Sequence, residues 1–259
     1  MPLDYEIASF RNLCQKMKSR DLFLVTYSTF DAAVYEKIAD GANVKLGRKN
    51  FPREWFDGIK GYNRLCMGRE LYEAFADYEY MLIAQLDTWI FRDEMDDWCS
   101  RGFDYVGAPW EFPECYHGQN VQVGNGGLSL RRISAFVRPF KYSWLPVYNV
   151  RCLWNEIKWN TPQSIMLFIL KLSGYHNSFR YWLNYSFQHG VNEDQFWCIG
   201  LIWSDFLALK MPSVEEASQF AFEKNPSNWY GKNGERLPMG CHAFHRYEFE
   251  EFWKQYISW

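Results

Sequence analysis

The run Tyr78–Leu86 (YEYMLIAQL) is apolar almost throughout and stops abruptly at Asp87. A strand with one wet face alternates apolar and polar residues, so a continuous apolar run predicts a central strand covered on both sides. The flanking segments supply the cover. Residues 4–18 set Ile7, Phe10, Leu13, Cys14 and Met17 on one face, the spacing of an amphipathic helix. Leu22–Tyr27 (LFLVTY) is a β-rich run, and Asp31 can cap a helix through Ala39 that stops at Gly41. A short strand is expected near Ala42–Leu46. Gly61–Ala76 predicts a second strong helix, with Leu65, Leu71 and Phe75 inward. Phe103–Val106 and Leu128–Leu130 read as short strands, and a helix is expected from Ile133. The Gly-, Pro- and Asn-rich stretch 111–127 reads as loop. This alternation predicts an α/β fold, a mostly parallel sheet flanked by helices.

Residues 139–190 differ in texture. They are rich in Trp, Tyr and Asn, with one helix expected near Pro162–Leu172, and read as an aromatic-rich helical insertion on the sheet. Asn192-Glu193-Asp194-Gln195 has the form of a helix N-terminus with a box partner at its third position, leading a helix to about Leu207. A last short helix is expected after His245.

Composition excludes some functions. The 259 residues carry a net charge of −3, which gives no basic footprint for nucleic acid. Seven cysteines (14, 66, 99, 115, 152, 198 and 241) form no CxxC pair, the pattern of reduced thiols in a cytoplasmic protein. The start, MPLDYEIASF, lacks a basic region followed by an apolar stretch. Ile165–Leu172 is too short to span a bilayer, and Phe196–Leu209 is broken by Ser204 and Asp205. A soluble chain with a peripheral contact at the inner face of a membrane is compatible with all of this. Aromatic residues reach 20%, with 13 Trp. That excess suits stacking on sugars and suits an aromatic core equally.

Three clusters can carry chemistry. Gln85-Leu86-Asp87-Thr88-Trp89 ends the central strand, where ligands of open α/β sheets bind; a turn cap would explain Asp87 as well. Gly124-Asn125-Gly126-Gly127 allows close backbone approach to a sugar or diphosphate, or is simply a tight turn. It matches neither a Walker loop nor the dinucleotide fingerprint. Glu193 and Asp194 stand in a first helical turn, where the macrodipole alone accounts for acids and where a fixed carboxylate can also act as a base. His242 and His245 add imidazoles suited to Mn²⁺ or Zn²⁺.

Seven motifs in order, YNRL (62–65), LIAQLDTWIF (82–91), FDYVGAPW (103–110), GNGGLSLR (124–131), NEDQFW (192–197), FAFE (220–223) and PMGCHAF (238–244), carry a family likeness. Together they resemble a bacterial glycosyltransferase-like family long catalogued as a domain of unknown function and similar to GT-A-type transferases. The resemblance implies one GT-A-like domain, with residues 1–138 as the nucleotide-sugar half and 139–259 as the acceptor half. It implies an NDP-sugar donor in the form of a UDP-sugar, a glycan or lipid-linked glycan acceptor, and an inverting hexosyl transfer in surface polysaccharide assembly. It implies Mn²⁺ or Mg²⁺ held by Asp87 and His242, with Trp89 standing where an Asp-x-Asp motif has its second acid. It also implies Asp194 as general base, Glu193 as second choice, and Gln85, Trp89, Trp110, Gly124, Asn125, Gly126 and Gly127 around the substrate. Members of that family open with an apolar strand ahead of the helix at 4–18, so the likeness implies a sheet lacking its first strand. Two other classes fit the same residues: a degenerate transferase that only binds carbohydrate, and a metal-dependent hydrolase using Asp87, Asp194 and His242.

Overall fold

The computed structural model describes residues 2–116, 119–157 and 161–258. The chain enters through α1 (Asp4–Lys16), which buries Ala8, Phe10 and Cys14, and turns into β1 (Leu22–Thr26). α2 (Ala33–Gly41) starts where Asp31 Oδ1 accepts the Ala33 N–H at 3.0 Å. Its end explains why no strand forms at 42–45. Asn43 takes a left-handed conformation (φ 56°) and the Val44 N–H closes on the Ala39 carbonyl at 2.9 Å, a helix-terminating turn. β2 (Leu46–Asn50) therefore starts later than expected and runs parallel to β1.

After a 3-10 turn at Arg53–Phe56, extended backbone at Gly68 divides the expected single helix into α3 (Gly58–Met67) and α4 (Arg69–Glu73). Then come β3 (Tyr80–Ala84), β4 (Thr88–Ile90), α5 (Met95–Ser100) and β5 (Tyr105–Gly107). The stretch expected to be loop is instead an irregular hairpin of β6 (Pro109–Tyr116) and β7 (Gln119–Val123), with its register shifting between Pro109 and Glu114. β8 (Leu128–Arg132) and α6 (Ile133–Lys141) follow.

The aromatic segment is helical: α7 (Val150–Glu156), α8 (Pro162–Leu172) and α9 (Phe179–His189), with Asn149 capping α7 and Ser178 capping α9. α10 (Glu193–Gln195) passes into a π-helical turn at Phe196–Gly200 and goes no further. Ser204 draws the chain away, its hydroxyl donating to the Pro146 carbonyl at 3.0 Å and accepting the Leu207 N–H at 3.2 Å. α11 (Val214–Phe220), β9 (Ala221–Phe222), α12 (Pro226–Lys232), β10 (Gly240–His242) and a 3-10 turn at Trp253–Gln255 complete the order.

The fold is mixed α/β, with four small sheets among the described residues rather than the mostly parallel sheet expected. β1–β2 and β9–β10 are parallel; β8 runs antiparallel to β3 and β5, β4 to β10, and β6 to β7. The physical reason is the connection into β8. β8 pairs with β3 and β5 and not with β7; the chain reaches it from β5 through the β6–β7 hairpin in place of a crossover helix, and it enters antiparallel to both neighbours.

β1 and β3 nevertheless share both faces. Phe23, Val25, Met81 and Ile83 pack on the largest core cluster, while Leu22, Tyr80 and Leu82 pack on a second one built around Trp98, Val106 and Phe220. The Tyr78 hydroxyl donates to Asp21 at 2.9 Å, tying the starts of the two strands together. No ladder among the described residues joins them.

Candidate functional site

Three short strands deliver three side chains to one point. In the β4–β10 ladder Thr88 faces His242, so Asp87, one residue earlier, arrives beside that imidazole. In the parallel β9–β10 pair Phe222 faces Cys241, so Glu223 arrives on its other side. Asp87 Oδ1 lies 3.2 Å from His242 Nε2, and Glu223 Oε1 lies 3.2 Å from His242 Nδ1. All three side chains are largely buried, at 12–15% exposure. Gln85 joins them, its Oε1 3.1 Å from His242 Nε2, while the Gln85 N–H donates to the Gly127 carbonyl at 2.9 Å.

The electrostatics follow from that packing. Burial alone would discharge His242, but the hydrogen bonds and charges of Asp87 and Glu223 outweigh it and raise its pKa to about 9. Burial likewise pushes Asp87 up, and the His242 contact more than offsets it, leaving this carboxyl below its ordinary range. Near neutral pH His242 is therefore held as an imidazolium, with Asp87 and Glu223 on its two sides.

A second cluster lies across the Gly126–Gly127 turn. Arg131, from β8, is fully buried; its guanidinium donates to Ser129 Oγ at 3.0 Å, to the Tyr72 hydroxyl at 2.8 Å and to Glu193 Oε1 at 2.8 Å. Burial opposes the Arg131 charge and Glu193 more than restores it, holding its pKa well above normal. Asn63, on α3, presents its Oδ1 to the Glu193 N–H at 3.1 Å and its Nδ2 to Asn192 Oδ1 at 3.4 Å. The first turn of α10 is thus anchored by Asn63 and not by an Asn192 side-chain cap.

Glu193 and Asp194 consequently differ. Glu193 is buried and engaged with Arg131, which leaves it poorly placed as a base. Asp194 is partly exposed, and its Oδ1 accepts the Gln195 N–H at 2.8 Å. Burial first, and the neighbouring Glu193 charge second, raise the Asp194 pKa to about 7. A carboxylate poised there can take a proton near neutral pH.

The glycines are explained by what flanks them. A Cβ on Gly126 would overlap Glu193 Oε1, and one on Gly127 would overlap the His242 ring. The turn is therefore a backbone ribbon threaded between the two clusters, with the Asn125 Oδ1 accepting the Gly127 N–H at 3.1 Å. Gly124 adopts φ 146° against Cys198 and Trp110, so Trp110 also borders the turn. Trp89 does not join this group. It is partly buried in the C-terminal aromatic cluster, edge-on to Phe244 at 5.8 Å.

Positions 87 and 242 are thus in contact, and Asp194 is near enough to feel the charge of Glu223. Glu223, Arg131 and Asn63 were not singled out from the sequence. The one available signal was FAFE, an acid closing a short apolar run as Asp87 closes its own. Glu193 Oε2 is buried with no hydrogen-bond partner among the described residues, whereas His242 Nδ1 has the Glu223 carboxylate 3.2 Å away. An orphaned polar atom such as Glu193 Oε2 calls for a ligand or water. The donor types, two carboxylates and an imidazole, suit Mn²⁺. Among the described residues, however, no three His, Cys, Asp or Glu groups form a ready metal cage, since His242 lies between the acids.

A cavity of about 380 Å³ is lined by Glu114, Trp182, Tyr185, Gln195 and Phe196, among others, and not by Asp194 itself. A larger one, about 760 Å³, contains none of the site residues; Arg92 pairs there with Glu94 and Arg101 with Asp97, while Asp93 and Asp96 pair with Arg20.

A family model with the description "Protein of unknown function (DUF5672)" matches residues 45–242. No curated protein and no solved structure matches the chain. The matched span takes in Asp87, the Gly124–Gly127 turn, Arg131, Glu193, Asp194, Glu223 and His242, and it covers well over half of the sequence. The chain therefore belongs to this family of proteins of unknown function.

Proposed function

We propose that the protein is a glycosyltransferase of GT-A type that moves a sugar from a UDP-sugar to a glycan or lipid-linked glycan acceptor. The observation that carries this reading is the pair of acidic clusters on the two flanks of one glycine turn. Asp87, His242 and Glu223 stand on one side, and the partly exposed Asp194, with its pKa near 7, on the other. A transferase needs both halves: charge control at a leaving diphosphate and a base for an incoming hydroxyl. In this reading Asp194 removes the acceptor proton as the hydroxyl attacks the anomeric carbon with inversion. In the same reading the aromatic cavity lined by the next residue, Gln195, holds the acceptor, with Trp182 and Tyr185 available for stacking on sugar faces.

Asp87 and His242 are the residues that would hold Mn²⁺ or Mg²⁺, with Glu223 beside them. When bound, the ion would supply Lewis-acid neutralisation of the diphosphate. Gly127 packs against the His242 ring, and His242 would give up its proton to take the ion. The finer fold proposal is a GT-A-like layer to which β1–β2 and β3–β8–β5 both belong. Their common core faces support it.

Release of UDP from UDP-glucose, UDP-galactose and UDP-galactofuranose tests the activity. With Mn²⁺ present we expect turnover of at least one donor, increased by an acceptor glycan. Binding without turnover of any donor would identify a degenerate transferase. Hydrolysis of the glycan itself without a nucleotide sugar would identify a hydrolase.

A further inference from the structure

The chain is acidic overall, yet residues 133–192 carry Arg138, Lys141, Arg151, Lys158, Lys171 and Arg180 against the lone acid Glu156. The same segment presents the largest run of exposed apolar side chains. On α8, Phe168 and Leu172 turn onto the core and Ser164 is buried. The remaining surface of the helix carries Ile165, Met166, Leu167, Ile169 and Leu170, at 38–60% exposure. A helix whose outer face meets only water places Lys, Glu or Gln at such positions.

α7 extends this surface. Its Val150 and Trp154 are each 57% exposed, and the Trp154 ring meets Phe168 edge-on at 5.9 Å. Past the other end of α8 stands exposed Tyr175, and the Trp144 carbonyl closes on neighbouring Gly174, bringing exposed Trp144 to the same end. Arg151 is exposed on α7, and Lys171 lies in the last turn of α8.

We propose that the α7–α8 surface docks on an anionic lipid bilayer. The outer side chains of α8 enter the boundary between headgroups and acyl chains. Trp144, Trp154 and Tyr175 occupy the interfacial level that Trp and Tyr favour, and Arg151 and Lys171 meet lipid phosphates. Three observations select this occupant. No helix among the described residues is long and apolar enough to cross a membrane, so α8 lies in the plane of the interface. The segment bearing the apolar face is net basic while the rest of the chain taken together is net acidic, so its charge is complementary to an acidic surface. A second copy docked by two-fold symmetry would oppose like charges on the two segments, which disfavours self-association.

Co-sedimentation of the full chain with vesicles tests this. Vesicles of about three parts phosphatidylglycerol to seven of phosphatidylcholine should pellet the protein about tenfold more strongly than phosphatidylcholine alone, and roughly 0.5 M NaCl should release much of it. The double variant Met166→Glu/Ile169→Glu should lose about tenfold in partitioning with an unchanged thermal midpoint, because both residues face outward. Folded wild-type protein that stays in the supernatant overturns the proposal. So does a double variant that pellets as wild type. A dimer seen by sedimentation velocity and abolished by the same double variant assigns the surface to a second copy and also overturns it.

Discussion

Replacing Asp194 with Asn is expected to lower sugar transfer by about 10²–10⁴-fold while making the protein more stable above neutral pH. The two effects have one cause. Unfolded, Asp194 ionises near its ordinary value of 3.8; folded, its pKa is about 7, because burial and then Glu193 oppose its charge. Below pH 3.8 both states hold the proton and the residue is neutral in effect. As pH rises from there to 7 the unfolded state ionises first, so stability falls, and above pH 7 the full penalty is present. At about 1.4 kcal/mol per unit this is on the order of 4 kcal/mol, which the Asn variant regains. Its amide oxygen keeps the bond from the Gln195 N–H, so the turn itself is not disturbed. Chemical denaturation at pH 5 and pH 8 reads the stability, and the wild-type kcat/KM should rise with pH along a limb near 7. A variant with normal turnover removes Asp194 as the base, and one with no gain at pH 8 removes the buried-charge explanation.

Replacing Arg131 with Met is expected to destabilise the fold by about 3–5 kcal/mol. The guanidinium is fully buried, makes three hydrogen bonds and lies over the Tyr105 and Phe136 rings. Its removal leaves the Glu193 carboxylate buried with no countercharge. Most of the expected loss is that stranded charge and not the missing packing, which Met partly replaces. Arg131→Met/Glu193→Gln should therefore be clearly more stable than Arg131→Met alone. Urea unfolding of the wild type, both single variants and the double variant measures the coupling. A loss below about 1 kcal/mol for Arg131→Met, or no recovery in the double variant, would contradict the buried pair.

These two residues also mark where sequence reasoning stopped. Asp87 was legible because a continuous apolar run has to end somewhere, and the residue ending it is set at the mouth of the sheet. Asp194 was legible as a first-turn acid. What distinguishes it from Glu193 was not, because the partner that engages Glu193 lies 62 residues away on strand β8. Glu223 follows a strand of only two residues, too short to show any period. Its placement beside His242 exists only once β9 and β10 are paired.

The fold divides in the same way. α1, β1, β3, β8 and α8 carried strong local patterns and formed close to where those patterns put them. The β6–β7 hairpin did not, because its prolines and its irregular register belong to a two-stranded sheet that needs no strict alternation. The direction of β8 was invisible for a similar reason. Apolar content announces a strand, while parallel or antiparallel entry depends on the connection that precedes it. α9 was hidden by aromatic residues on several faces at once: Phe179 buries inward, whereas Tyr185 remains exposed.

The assignment of a nucleotide-sugar site rests on Asp87 and His242 meeting a diphosphate beside the Gly126–Gly127 turn. Calorimetric titration of UDP into the folded chain with Mn²⁺ tests it most directly. A saturable heat for one site, lost in Asp87→Ala while that variant still unfolds cooperatively, is the expected result. Absence of any heat with millimolar UDP, or binding of equal strength in Asp87→Ala, would contradict it.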